Sequence, residues 1–186
     1  MALFLLGLLV FFGSHLFTAF ARRPRAALVA RIGEGPYKGL YSLVALAGFV
    51  LIAMGWPRAD ASVLYVSPDW MRGATYVLVL IAFVLFAAAY APAGRIAGAT
   101  KHPMLAGLKI WAFAHLLVNG EVRSLILFGS FLAYAVVDRI AVKRRDAPTR
   151  AAGPLRNDAI AVAVGLAGYL AVALYGHRYI AGVGLY

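Results

Sequence analysis

The sequence predicts an all-α fold, a polytopic membrane helix bundle with about six transmembrane helices. Three observations carry that class. Of the 186 residues, 63% are hydrophobic and only 13% charged, with a mean hydropathy of +0.83. A soluble domain carries roughly 25% charged residues, so this chain lacks the polar sequence to coat a water-soluble globule. Apolar stretches near the ~20 residues that span a bilayer recur along the whole length. The basic residues gather in alternate joints between those stretches, as they do when one side of a membrane retains them.

The first stretch is Ala2–Ala21. It has no basic n-region and no small-residue cleavage site leading into a soluble domain, so it is expected as a retained helix and not a signal peptide. Lys38–Trp56 follows, closed by Pro57, and then Trp70–Tyr90, closed by Pro92. The fourth stretch, Pro103–Val118, is short. Val122–Val142 and Asp158–Tyr175 complete the set. Glycine and proline mark the joints, among them Gly33, Pro36, Pro68, Gly94, Gly120, Pro148 and Pro154. Neither a soluble insertion nor an internal repeat is evident, so residues 1–186 are expected to form a single transmembrane domain.

Charge orients the bundle. The first joint holds Arg22, Arg23, Arg25, Arg31 and Lys38, and the third holds Arg95 and Lys101. The fifth holds Arg139, Lys143, Arg144, Arg145, Arg150 and Arg156, whereas the opposite side has Arg58, Arg72, Arg123 and Arg178. This pattern places the basic joints in the cytoplasm and both termini outside. The formal net charge of +11 is therefore read as topology, with no nucleic-acid partner. Lipid is the expected surrounding.

Several chemistries are excluded by what the chain lacks. It has no cysteine, hence no disulfide, thiolate ligand or thiol nucleophile. No phosphate-binding P-loop, GxSxG elbow, HExxH zinc motif or pair of intramembrane carboxylates occurs.

Histidine is the remaining candidate. The four are His15, His102, His115 and His177, and His15 and His115 fall inside spans, where a polar ring needs a partner and marks a candidate functional site. Steps of three and four place Leu8, Phe11, Phe12, His15 and Ala19 on one helix face, and Met104, Leu108, Trp111, His115 and Asn119 on another. Such apolar-aromatic stripes suit ordinary helix packing. They also suit a flat apolar cofactor clamped between two imidazoles, for which haem is the natural candidate. His15 lies ~9 Å and His115 ~18 Å from the cytoplasmic ends of their spans at ~1.5 Å per residue, so a shared iron requires tilt or shifted span ends. His102 precedes Pro103 and is turned ~220° from His115 about the helix. With Lys101 at a helix start it suits an anion, such as a haem propionate or a phosphate, or a solvated cap. Lys109 is expected to face Asp138 or Glu121, Asn119–Glu121 to form a tight outer turn, and His177 to follow the last span at the interface.

The segment HPMLAGLKIWAFAHLLVNGE, followed by LILFGSFLAYAVVDR, resembles the NnrU family of bacterial membrane proteins. FFGSHLF, GEGPYKGLYSLVALAG and YGHRYIAGV fit the same pattern, so the resemblance covers nearly the whole chain. It implies a bacterial inner (cytoplasmic) membrane protein linked to denitrification, specifically to nitrite and nitric oxide reduction. That family is similar to the plant and cyanobacterial zeta-carotene isomerase. This second likeness implies haem b, histidine axial ligands and a redox-dependent change of ligand. Carried over by motif, the two metal ligands fall on His15 and on His115 within WAFAH. The isomerase has a cysteine where this chain has Ala112, so a thiolate ligand is impossible here. KHPM at 101–104 is similar to the RHP element of isoprenylcysteine methyltransferase-like membrane enzymes, which implies S-adenosylmethionine, although their downstream catalytic segment is not apparent.

The leading expectation is thus a haem b protein with metal ligands His15 and His115 and with His102, Trp111 and Asn119 as further cofactor contacts. Its role would be redox or isomerase-like chemistry on an apolar polyene entering from lipid, or support of a nitrite or nitric oxide reductase system. The alternatives are a non-enzymatic assembly or sensing partner of such a reductase, and an S-adenosylmethionine-dependent membrane methyltransferase.

Overall fold

The computed structural model describes residues 1–145 and 147–185, and among them it is all-helical apart from one isolated β-bridge. In chain order the helices are α1 (Ala2–Phe20), α2 (Arg22–Ile32), α3 (Glu34–Gly55), α4 (Trp70–Tyr90), α5 (Arg95–Thr100), α6 (Pro103–Val118), α7 (Val122–Arg144), α8 (Leu155–Ala171) and α9 (His177–Ala181). A 3₁₀ turn, Trp56–Arg58, extends α3, and a π turn, Val172–Gly176, joins α8 to α9.

Among the described residues five helices are long and apolar enough to cross a membrane: Ala2–Phe20, Glu34–Arg58, Trp70–Tyr90, Val122–Arg144 and Leu155–Ala181. The remaining apolar helix, α6, has the bounds expected of it, but its 16 residues reach only ~24 Å, against a hydrocarbon core of ~30 Å.

Several boundaries differ from expectation; α8, for one, starts at Leu155 and not at Asp158. The first basic joint is itself helical, as α2. Its Ala, Arg and Leu residues favour helix, and Pro24 falls in the first turn, where its missing N–H costs nothing. None of its residues is buried. Helix α3 begins one turn early at Glu34, whose carboxylate pairs with Lys38 four residues on at 2.8 Å. The last helix does not stop at Tyr175. The π turn absorbs Gly176, and His177 lies on the continuing helix instead of following it.

The chain divides into two compact units. The first comprises Met1–Val66 and Asn119–Asp146, the second Ser67–Val118 and Ala147–Tyr186. In the first unit, α1 lies along α3 at a distance only glycine permits. A Cβ on Gly7 would stand 2.5 Å from the Ile52 nitrogen, and one on Gly55 would stand 2.4 Å from the Phe4 nitrogen. Phe4, Leu8, Phe12 and Ile52 form the core, with Phe131 and Tyr134 of α7 packed against it. Outside the spans, the segment before Val66 is stitched to the start of α7. Leu64 N–H donates to the Gly120 carbonyl at 2.8 Å, and Val122 N–H to Ser62 at 3.0 Å. Arg123 holds the Glu121 carboxylate at 2.6 Å while resting over the Trp56 ring.

In the second unit, α4 is flanked by α6 and α8. Gly107 meets Phe86 and Ala82, and Gly165 meets the Val84 backbone. Two charged side chains close helix ends here. Buried Asp158 accepts from the Arg95 and Ile96 N–H groups, each at 3.0 Å, and so caps α5. Arg150 donates to the carbonyls of Ala88, Ala89 and Ala91 at 2.7, 2.6 and 2.8 Å, covering the C-terminal end of α4.

Candidate functional site

Helix geometry fixes both intramembrane imidazoles in the same way. In the first unit, His15 Nδ1 lies 2.7 Å from the Phe11 carbonyl oxygen, one turn earlier on α1. In the second, His115 Nδ1 lies 2.8 Å from the Trp111 carbonyl oxygen, one turn earlier on α6. A carbonyl can only accept, so Nδ1 carries the hydrogen in each neutral ring and the lone pair resides on Nε2. That is the tautomer of a metal-ligating histidine, whose other nitrogen donates to a carbonyl.

The residue supplying the carbonyl also supplies a ring. Phe11 lies 4.3 Å from the His15 imidazole with an interplanar angle of 31°, and Trp111 lies 4.8 Å from His115 at 47°. Around His15 the cage continues with Tyr41 of α3 at 5.4 Å and Tyr134 of α7 at 5.5 Å. The Ser14 hydroxyl donates to the Phe11 carbonyl at 2.7 Å and stands 3.3 Å from His15 Nδ1. Both imidazoles are half-buried, as are Phe11 and Trp111. On α6 the whole stripe Met104, Leu108, Trp111 and His115 is half-buried, whereas Leu105, Gly107, Ala112 and Ala114 are the buried positions. At 100° per residue the stripe therefore runs between two close-packed edges of the helix, Leu105 and Ala112 on one side and Gly107 and Ala114 on the other.

The other expected site residues lie elsewhere. Asn119 is past the end of α6 and off its helical face. Its carbonyl accepts from the Tyr65 hydroxyl at 3.4 Å, and the neighbouring Gly120 is pressed against the Tyr65 backbone. His102 lines a cavity of about 190 Å³ in the second unit, together with Lys101, Met104, Leu105, Pro148 and Arg150. Lys101 turns the chain there with φ 62°, a left-handed backbone that favours glycine. Two or three basic side chains beside the start of α6 can hold an anion. His102 stands thirteen residues, ~20 Å of helix, before His115, so the cavity and the His115 ring are separate features.

Tyr41, Tyr134 and Arg150 escape a reading of the sequence alone. Each reaches its place through a helix far away in the chain, and no local period announces that. Outside the spans, two groups are electrostatically perturbed. Hydrogen bonds from the side chain and backbone of Ser62 hold the Asp60 carboxyl below its ordinary value, and burial pushes the Tyr65 hydroxyl up. Among the described residues no three His, Asp or Glu side chains gather as a bare-metal site.

The model for NnrU protein matches residues 3–185, nearly the whole chain, and spans both units. No curated protein and no solved structure matches. The chain belongs to the NnrU family.

Proposed function

We propose, from the premise that this chain is an NnrU membrane protein, that it binds haem b with His15 and His115 as iron ligands. The observation that carries the reading is the pair of intramembrane imidazoles, each with Nδ1 engaged by the carbonyl four residues earlier and its lone pair on Nε2. Haem would ask the protein for only one or two ligands, which suits single histidines on two helices. When bound, haem supplies one-electron redox chemistry and a coordination position that opens if a ligand leaves. The chain's part is to hold two neutral imidazoles in one tautomer, to wall them with Phe11 and Trp111, and to keep water from the apolar stripes. Tyr41 and Tyr134 flank His15 edge-on and continue its aromatic wall. Lys101 and His102 serve an anion, a propionate or a phosphate. Asn119 stands beyond the α6 stripe as an outer contact.

The physiological role we propose is support of nitrite and nitric oxide reduction, in a bacterial inner membrane with the basic joints in the cytoplasm and both termini outside. The same site, with one histidine released, suits redox-gated isomerisation of an apolar polyene arriving from lipid. A second reading has one observation in its favour. The KHPM segment lies at the basic cavity, where a methyltransferase would place S-adenosylmethionine.

The test is a pair of absorption spectra, oxidised and reduced, on protein purified in mild detergent from haem-sufficient cells, with His15→Ala and His115→Ala beside it. A haem b spectrum that is lost or turns high-spin in both variants is expected. A folded wild type that stays colourless after reconstitution with haem would overturn the reading and turn attention to the cavity, or to an assembly role beside a reductase.

A further inference from the structure

Although no repeat is evident at the scale of whole spans, a short one appears when the two histidine helices are set side by side. Residues 5–16 read LLGLLVFFGSHL and residues 105–116 read LAGLKIWAFAHL. Leu5 matches Leu105, Gly7 matches Gly107 and Leu8 matches Leu108. An aromatic follows at Phe11 and Trp111, then the histidines, then Leu16 and Leu116. The glycine, aromatic and histidine positions do the same job in each unit, whereas the leucines do not: Leu5 is exposed where Leu105 is buried, and Leu8 is buried where Leu108 is half-buried. Both glycines are buried and let the helix lie against a neighbour. Cβ atoms there would stand 2.5 Å from the Ile52 nitrogen on α3 and 2.9 Å from the Phe86 ring on α4. The two aromatics give the imidazole one turn later both a tilted ring in contact and a carbonyl acceptor, the latter at 2.7 and 2.8 Å. Eight residues separate glycine from histidine in each copy, which turns the imidazole ~80° away from the seated face and ~12 Å along the helix.

We propose that these segments are two copies of one imidazole-presenting module. In it the glycine seats the helix, and Phe11 and Trp111 are positioning residues that hold the ring plane and the Nδ1–H tautomer. The aromatic matters as a flat surface, not as a particular side chain, because one copy uses phenylalanine and the other tryptophan. A leucine there would keep the carbonyl but remove the wall, so the imidazole would rotate away from its acceptor and exchange tautomers. The tautomer part stands whether or not haem binds. Only the consequence for ligand affinity rests on the haem reading.

The experiment uses the full chain, haem-free, with ¹⁵N-labelled histidine, and reads the imidazole nitrogens by NMR. His15→Asn and His115→Asn assign the signals. Both rings are expected in the Nδ1–H form. Phe11→Leu should raise the Nε2–H population several-fold at His15 alone, and Trp111→Leu should do so at His115 alone. The exchanges Phe11→Trp and Trp111→Phe should keep the wild-type pattern, and they decide the matter if a leucine variant fails to fold. On adding haem, the leucine variants should bind about tenfold or more weakly, as second-shell losses do, while the exchanges bind normally. Unchanged tautomers in the leucine variants, a response at one ring only, or exchanges that behave like leucine would overturn the proposal. Loss of haem binding by every variant and the wild type, with the NMR pattern intact, would remove the haem reading and leave the module standing.

Discussion

His15 and His115 share a local geometry and differ in their housing. Around His15 the neighbours named by ring contact come from three helices: Phe11 on α1, Tyr41 on α3 and Tyr134 on α7. Beside His115 a tilted ring, Trp111, comes from the same helix, and the buried Thr75 hydroxyl of α4 donates to the adjacent Ala114 carbonyl at 3.2 Å. The glycines that seat the two helices also meet different things, main chain at Gly7 and chiefly an aromatic side chain at Gly107. How an imidazole is held is thus a property of a single helix, whereas what surrounds it is a property of helix pairing. The two can vary independently.

The glycine contrast gives the largest expected effect. Gly7→Ala pushes a methyl into the Ile52 and Leu51 backbone, which cannot yield locally, and should cost about 3 kcal/mol. Gly107→Ala meets a Phe86 ring that can turn aside, although the Ala82 carbonyl at 3.0 Å limits the relief. About 1–2 kcal/mol is expected there. Thermal unfolding in detergent ranks the two. Equal losses would mean that both helices are seated against equally rigid partners.

A smaller effect separates the units by their use of buried charge. Asp158 closes α5 in the second unit, and Asp158→Ala would leave two part-buried N–H groups without their acceptor, at about 1 kcal/mol. Helix α2 of the first unit has no side-chain cap and no buried residue to lose, so Arg22→Ala should leave the unfolding midpoint nearly unchanged. A large shift from Arg22→Ala would break that part of the contrast.

The smallest effect concerns pH. Asp60 in the first unit's outer segment has a carboxyl pKa held down by Ser62. A lowered folded-state value means that its contribution is present above the ordinary carboxylate range and lost as pH falls through the lowered value. Because the group is fully exposed, the change should be confined to a fall in the protection of the Ser62 amide, measured against its intrinsic exchange rate, at acid pH, and Asp60→Asn should lower that protection at every pH. A Ser62 protection factor that stays independent of pH in the wild type would sink this assignment.

Much of the fold was legible because lipid imposes length and apolarity on each span. Helix α6 could be bounded from Pro103 to Val118, because proline starts a helix well and Asn119–Gly120 ends one. Helix α2 was hidden by its arginines, which read as a charged joint when only hydropathy is weighed. The end of the last helix was hidden by Gly176 and His177, a pair that resembles a stop until the π turn carries the chain through. Of the candidate site, His15, His115 and Trp111 could be found from spacing, since residues four apart share a face. Asn119 extends the same spacing on paper but leaves the helix, because Gly120 is drawn against Tyr65.

The sequence by itself determined the apolar helices, that they are suited to lipid, and that two imidazoles follow an aromatic residue by one turn. The reason is that 3.6 residues per turn connects positions i and i−4 without help from any other part of the chain. Tertiary structure alone decided that Tyr41 and Tyr134 join His15, that Arg150 closes α4, and that Gly7 and Gly107 take their helices to unlike partners. Those outcomes depend on close approach between helices distant in sequence, where the fit of a glycine against a neighbouring backbone or ring selects the pair.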